Sequence, residues 1–473
     1  MRFHPATYEE LAELVKDCSI YLGDIDTSRI ENMRWLFCNS KRKDFSGIES
    51  WDTSNVKNMI GMFSNAIYFN ADISGWNVAN VWNFSNMFYF AKRFNQPIGK
   101  WDTSSATMME AMFEGAYSFN QPLNDWNTSK VWNMNFIFLG AKKFNQPLDK
   151  WDMSAIKNKI TGCYQIANFF TGTSFNQNID SWDLSWKCYF ILECTPLMKN
   201  PPKWIRAKFD ALYNAKLNKY QPINRDELIF LCAFEIIHLG DIDTSQIDDM
   251  MHIFCYSKRK DFSGIEFWDT SNVKNMDLMF CSAKHFDADI SGWNVANVES
   301  MRSMFVDARL FNADISNWNV AKVRDFSRMF CGALRFNHNL DSWAVDTNAI
   351  LLNDIDDDKP FHAAFFESPL QQNPPKWYLP YIDSLFEPKT RQYIPKNEDE
   401  LCDLVAFERV NLGDIDTSLI MDLQWLCIYL KRRKDFSGIE RWSINEKCLI
   451  SRVLFDDCIL SDNPPKWFKD RMA

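Results

Sequence analysis

The chain has 473 residues, 46% hydrophobic and 24% charged, a balance that excludes disorder as its general state. Its formal net charge of −10 argues against a nucleic-acid partner held through its phosphates. No stretch approaches the length of a membrane span, and Met1-Arg2-Phe3-His4-Pro5 runs into an acidic segment (Glu9, Glu10, Glu13) without the apolar core of a signal peptide.

In chain order, the first expected element is a short amphipathic capping helix between Pro5 and Leu11, with counterparts at Pro222 to Leu228 and Pro395 to Leu401. Gly23-Asp24-Ile25-Asp26-Thr27-Ser28 follows, and returns at Gly240 to Ser245 and Gly413 to Ser418. Next come the basic runs Lys41-Arg42-Lys43, Lys258-Arg259-Lys260 and Lys431 to Lys434, which read as solvated turns or as a docking patch for an acidic partner. Trp51, Trp76, Trp101, Trp126 and Trp151 then recur every 25 residues. Such a period marks a repeat array, in which each coil buries its apolar face against its neighbours.

Within a coil, an aliphatic residue lies three before the tryptophan (Ile73, Ile98, Leu123, Leu148) and a phenylalanine seven before it (Phe69, Phe94, Phe119, Phe144). After the tryptophan, the stretch to Val56, Val81 or Val131 predicts a short strand and turn. Met59, Met62, Phe63 and Ala66 stand at helical offsets, as do Met276, Met279, Phe280 and Ala283, and predict a short helix capped by Asn58, Asn83, Asn133 or Asn275. A second asparagine column (Asn70, Asn95, Asn120, Asn145, Asn312, Asn337) reads as a ladder satisfying buried backbone in every turn. The tryptophans, methionines and the column Ala66, Ala91, Ala116, Ala141 read as core.

Each module closes on Asn-Pro-Pro-Lys-Trp, at Asn200 to Trp204, Asn373 to Trp377 and Asn463 to Trp467, which predicts an exit helix anchored by its tryptophan. The expected organisation is an α/β repeat solenoid of strand-turn-helix coils in three capped modules: 1–219 with seven coils, 220–390 with five and 391–473 with two. Two coils are too few to stand alone, so the third module is expected to lean on the second. The rhythm breaks between Trp151 and Trp182, where Lys159, Gly162 and Cys163 enter the stripe, and is lost after Trp343.

The pattern Phe-Asn-Gln-Pro-Leu-x-x-Trp-Asx-Thr-Ser-x-Val-x-Asn-Met, seen from Phe119 to Met134, continues as Met-x-x-Met-Phe-x-x-Ala at Met59 to Ala66 and Met301 to Ala308. It resembles the BspA-like leucine-rich repeat family of bacterial surface proteins, related to mycoplasma lipoprotein repeats. The resemblance implies a solenoid without catalysis and a role in adhesion to host proteins or other cells; it supplies no binding residues.

Thirteen cysteines without a framework spacing read as free thiols. Cys38, Cys255, Cys281 and Cys331 share one coil position, expected on adjacent helices roughly 8–10 Å apart and out of disulfide reach. Thiol usage and the missing signal point to the cytoplasm, the family resemblance to the cell surface. The six histidines form no zinc helix, and no nucleophile elbow or P-loop is present. Asp354-Ile355-Asp356-Asp357-Asp358 resembles the start of a calcium loop, but Lys359 and Phe365 stand where the glycine and glutamate belong, so it reads as an acidic solvated insertion. The sequence thus predicts no catalytic residues, cofactor or metal, and a protein or other macromolecular partner bound through solvent-facing residues such as Lys100, Asp125, Lys150 and Asn317. The alternative is an intracellular array of duplicated, partly decayed modules that binds a cytoplasmic protein or has no dedicated ligand.

Overall fold

The computed structural model describes residues 2–157, 166–347, 362–407, 409–430, 433–456 and 458–472. Its contacts divide the chain into two compact units, Met1–Ala211 and Leu212–Ala473.

In the first unit, successive coils lie side by side through parallel bridges that pass from Asn32 to Asn58, Asn83, Met108 and Asn133. The methionine stripe between them is a chain of turns and forms no helix, which corrects the reading from periodicity. Alternate amides leave their own coil: Met59 N–H donates to Asn83 O, Gly61 to Ser85 O, Phe63 to Met87 O and Asn65 to Tyr89 O. The amides between them close tight turns inside the coil, Met62 to Met59 O, Ser64 to Gly61 O and Ala66 to Phe63 O. The expected strand after each tryptophan is likewise a turn, in which Val56 N–H reaches Thr53 O.

This path needs left-handed backbone at two fixed places per coil, ten and fourteen residues after the tryptophan. They are Gly61 and Asn65, Asn86 and Phe90, Ala111 and Gly115, Phe136 and Gly140, all with φ between 50° and 68°. A non-glycine residue there costs about 1–2 kcal/mol, which the cross-coil hydrogen bonds and the core must offset. The core is dense. Trp51, Trp76, Trp101, Trp126 and Trp151 are each 3–4% exposed, and Phe63, Phe69, Phe88 and Phe94 are fully buried. Phe63 stacks on Phe69 of its own coil at 3.6 Å and on Phe88 of the next at 5.8 Å. Each buried large side chain contributes roughly 1.5–3 kcal/mol.

Polar side chains repeat as regularly. In the tryptophan column each indole nitrogen donates to a carbonyl of the preceding coil, Trp76 to Ile48 O, Trp101 to Ile73 O and Trp126 to Ile98 O. The asparagine ladder is present: Asn70, Asn95 and Asn120 accept in turn from the amides of Asn95, Asn120 and Asn145 at 2.8–2.9 Å. Asn58 caps a turn and not a helix, its Oδ1 accepting from Ile60 N–H. A threonine ladder went unnoticed in the sequence, with Thr27, Thr53, Thr103 and Thr128 each donating to a carbonyl of the next coil.

The second unit repeats the plan from Asp249 through Asn275, Ser300 and Asp325. The rhythm that the sequence loses after Trp343 resumes at His362. Arg328, Phe330 and Gly332 donate to His362 O, Ala364 O and Phe366 O, and Ala363 and Glu367 are left-handed. Trp377 then joins the tryptophan column, stacking on Trp343 at 6.0 Å and donating to Leu340 O. Trp467 does the same on Trp442 and Ile439 O. In these two places the Asn-Pro-Pro-Lys-Trp tryptophan is a column member as well, Trp377 just before the helix Leu379–Ser384 and Trp467 within the helix Lys466–Met472. The sequence-expected residues Lys159, Gly162 and Cys163 lie outside the described residues.

Opening helices occur at Tyr8–Lys16, Arg225–Ala233 and Glu398–Ala406. All three begin with a reciprocal cap. Thr7, Asn224 and Asn397 accept from Glu10, Glu227 and Glu400 N–H, while those glutamates accept from Ala6, Ile223 and Lys396 N–H.

Two glycines separate backbone preference from packing. Gly140→Ala places a Cβ no closer than 3.9 Å to its neighbours, so only its φ of 68° resists, and urea unfolding should show a loss of about 1 kcal/mol. Gly61→Ala sets a Cβ 2.0 Å from the Trp35 ring as well and should cost clearly more than Gly140→Ala; equal losses would mean that the Trp35 ring moves aside freely.

Candidate interaction surface

The basic runs are only in part the surface that their charge suggests. Their central arginines are buried, Arg42 at 4%, Arg259 at 5% and Arg433 at 4% exposure. Each guanidinium collects carbonyls at the end of its opening helix. Arg259 Nη1 donates to Cys232 O and Phe234 O, and Nη2 to Ile237 O at 2.8 Å. Arg433 makes the same set with Val405, Phe407 and Val410, and Arg42 reaches Asp17 O and Ile20 O. A cation placed on the unpaired carbonyls of a helix C-terminus satisfies them and complements the helix dipole. The flanking Lys41, Lys43 and Lys260 are exposed.

The column beside the tryptophans does not form a surface of one chemistry. Lys150 is paired with Asp125 at 2.7 Å, and the Asn317 amide donates to Ser291 O. Lys100 stands next in line with Asp125, so the sign alternates from coil to coil. The Asp354 to Asp358 insertion lies outside the described residues. Among the described residues, no three His, Cys, Asp or Glu side chains gather to hold a metal ion.

A biased surface appears instead in two adjacent columns nine and eight residues before each tryptophan of the first unit. They carry Ile67 and Tyr68, Lys92 and Arg93, Tyr117 and Ser118, then Lys142 and Lys143. Lys43 precedes them one coil earlier. These side chains lie beside buried Phe69, Phe94, Phe119 and Phe144, which fixes their direction to the outside. Tyr68 lies between Lys43, 5.6 Å from its ring centroid, and Arg93, at 5.2 Å. Tyr117 lies between Lys92 at 5.6 Å and Lys142 at 4.8 Å. A cation held on an aromatic face gains about 0.5–1 kcal/mol at an exposed site. Among the described residues none of these five cations has a carboxylate partner, whereas Lys16, Lys57 and Lys150 do. This pair of columns is not evident in the sequence because each coil shows only two of its residues; it emerges when the coils are aligned on the tryptophans.

The same columns of the second unit differ. Leu310 stands in place of Arg93 and Leu334 in place of Tyr117, Arg309 is paired with Asp307 at 3.2 Å, and Asp287 stands where the first unit has an asparagine. A shallow depression of about 540 Å³ there is lined by groups of both signs, among them Lys260, Glu266, His285, Asp287 and Asp289.

A buried polar cluster ties residues on either side of position 390 within the second unit. Asp403, 4% exposed, accepts from Ala363 N–H at 2.7 Å and Tyr381 OH at 2.6 Å, and lies 3.3 Å from His362 Nδ1. Burial pulls the His362 imidazole down, but the carboxylates of Asp403 and Asp399 outweigh it and raise its pKa above the ordinary 6.5. Burial and Asp403 push the Tyr381 phenol well above 10, which keeps it a donor.

The thiols also differ from expectation. Cys188 is disulfide-bonded. Cys255 and Cys281, neighbours in the stack, are within hydrogen-bonding reach of each other, a bond that lowers the Cys281 thiol and raises that of Cys255. The expected 8–10 Å separation assumed helices; hydrogen-bonded turns bring equivalent positions much closer.

These features define a protein of tandem repeats. A family model described as "Mycoplasma protein of unknown function, DUF285" matches residues 9–116, 96–189 and 248–362, more than half of the chain, and the chain belongs to that family. No curated protein and no solved structure matches it. No helix among the described residues is long and apolar enough to cross a membrane.

Two outcomes follow from the buried polar groups. Arg259→Met leaves four carbonyls, those of Cys232, Phe234, Ile237 and Asp261, without their charged donor and should lower urea stability by about 2–3 kcal/mol, against less than about 0.5 kcal/mol for the exposed Lys260→Met. Residues 391–473 expressed alone lose His362, Ala363 and Tyr381 and should show no cooperative thermal transition; a sharp two-state melt would refute their dependence on the preceding coils.

Proposed function

We propose that this chain is a non-enzymatic interaction protein, a solenoid of the BspA-like kind whose stacked coils bind another macromolecule along their exposed columns. The observation that carries the reading is a contrast within each coil. Buried columns keep one residue type from coil to coil, while the columns nine and eight before the tryptophan hold unpaired cations and tyrosines on a chain of net charge −10. Packing alone does not require these exposed groups, and an uncompensated patch on an otherwise acidic protein favours encounter with an acidic partner. Adhesion to host proteins or to another cell is the form that the family resemblance suggests. The mixed-sign column of Lys100, Asp125 and Lys150 favours the second reading, an array without a dedicated ligand, at that face only.

Photocrosslinking tests the proposal. A photoreactive phenylalanine analogue at Tyr117, in the full chain produced in its native cells, should trap a discrete high-mass adduct that the same analogue at Lys100 does not. Absence of adducts from Tyr68 and Tyr117 alike would refute binding through this face.

A further inference from the structure

The spacing of the charges in the first unit says more about the partner than their sign. Coils joined by parallel backbone hydrogen bonds are about 4.8 Å apart. The cations fall on every second coil: Lys43, then Lys92 with Arg93, then Lys142 with Lys143. Beside these columns the buried rings of successive coils lie 5.5 Å (Phe69 to Phe94), 5.8 Å (Phe94 to Phe119) and 6.0 Å (Phe119 to Phe144) apart, so the cationic steps are held somewhat farther apart than backbone pairing alone would set, by the stacked core and by the tyrosines between them. Each tyrosine has cations on both neighbouring coils, which hold its faces and leave the rim and hydroxyl to solvent.

We infer that this stripe is a site for a linear acidic polysaccharide with one negative group per disaccharide. It rests on the interaction reading above and names its partner class. A repeat of one charge per two sugars has a period near that of two coils, and the long lysine and arginine side chains take up the difference over three cationic steps. The Asn70, Asn95, Asn120 and Asn145 ladder uses each Oδ1 to accept from the next coil, and the Gln96 and Gln146 amide groups donate back into it, to Asn70 O and Asn120 Oδ1, so the column alongside holds the stripe in shape. A single-stranded nucleic acid fits less well, because it draws affinity from bases stacked on open aromatic faces, and those faces are taken by lysine and arginine. An acidic peptide carries its charges on flexible side chains and has no need of a fixed period. The second unit lacks the tyrosines, pairs Arg309 with Asp307 and places Asp287 in the asparagine column, so it serves as an internal control.

The test is fluorescence anisotropy of the full chain with a labelled hyaluronan hexasaccharide, which carries one carboxylate per disaccharide over three repeats, at low and at moderate salt. Binding should weaken at least 10-fold in Lys92→Ala/Arg93→Ala/Lys142→Ala/Lys143→Ala, and less than 2-fold in Lys284→Ala/Arg335→Ala of the second unit. Tyr117→Leu keeps every charge and should still weaken binding at least 3-fold. Circular dichroism melts of each variant separate lost binding from lost folding, since all these side chains lie at the surface. No hexasaccharide binding at low salt, or equal binding by poly-glutamate or oligouridylate of matched charge, would overturn the polysaccharide assignment. If Tyr117 crosslinks to a protein in cells while the hexasaccharide fails to bind, the interaction reading stands and this inference falls; if both fail, both fall.

Discussion

The structure depends on one constraint: in every coil, alternate amides of the methionine stripe donate to the next coil while the amides between them close turns within their own. That alternation sets the pitch, because a backbone hydrogen bond fixes neighbouring chains about 4.8 Å apart. It also sets the period. Met59, Gly61, Phe63 and Asn65 meet Asn83, Ser85, Met87 and Tyr89 only if each coil returns in register. Everything that stacks in columns, including the indoles, the phenylalanines and the amide and hydroxyl ladders, inherits its alignment from these bonds. An insertion is tolerated only where it leaves them intact. Phe136, Phe138 and Gly140 still donate to Ala167 O, Phe169 O and Thr171 O across the longer interval between Trp151 and Trp182.

The core was legible because its signal lies in side chains. Trp51 through Trp151, Phe63, Met62 and Ala66 are buried as their recurrence implied, and the asparagine ladder makes the bonds expected of it. The backbone was not legible, for a physical reason. Offsets of i, i+3, i+4 and i+7 report which residues point inward, and a turn chain with left-handed residues at positions such as Gly61 and Asn65 points the same four inward. Periodicity counts faces and cannot tell whether an amide bonds four residues back or to the next coil. Phe90, Ala111 and Phe136 in left-handed backbone carry no sequence mark, since nothing in their chemistry prefers it.

Charge misled in a related way. Arg42, Arg259 and Arg433 sit in basic runs that look solvated, yet each guanidinium is buried among the carbonyls that end an opening helix. The run's composition is that of a surface, but its middle residue answers a need created by the helix in front of it. What distinguishes the arginine from its lysine neighbours is geometry: a planar fork can serve three carbonyls at once, while an ammonium is a compact point. The recurrence of arginine, and never lysine, at this place in all three runs was the available signal.

The same logic separates the surface that holds candidates for recognition from the surface that does not. A buried ladder repeats because each coil presents the same unsatisfied carbonyl or the same apolar gap to its neighbour, so identical demands select identical residues. An exposed column faces water and is under no such demand. Lys100, Asp125 and Lys150 show the result, a sequence of signs that neutralise one another across the coils. The paired columns that carry Tyr68 and Arg93, and Tyr117 and Lys142, depart from that expectation twice. Their cations are unpaired on a chain of net charge −10, and their rings stand in the alternate coils, so that charged coils are separated by a coil with a polarizable face. The tyrosines relieve part of the repulsion that five neighbouring cations would otherwise impose on the fold, and they leave the charge itself unneutralised. A stack that needed only to be stable would gain more from a carboxylate in those coils, as Asp307 serves Arg309 in the second unit.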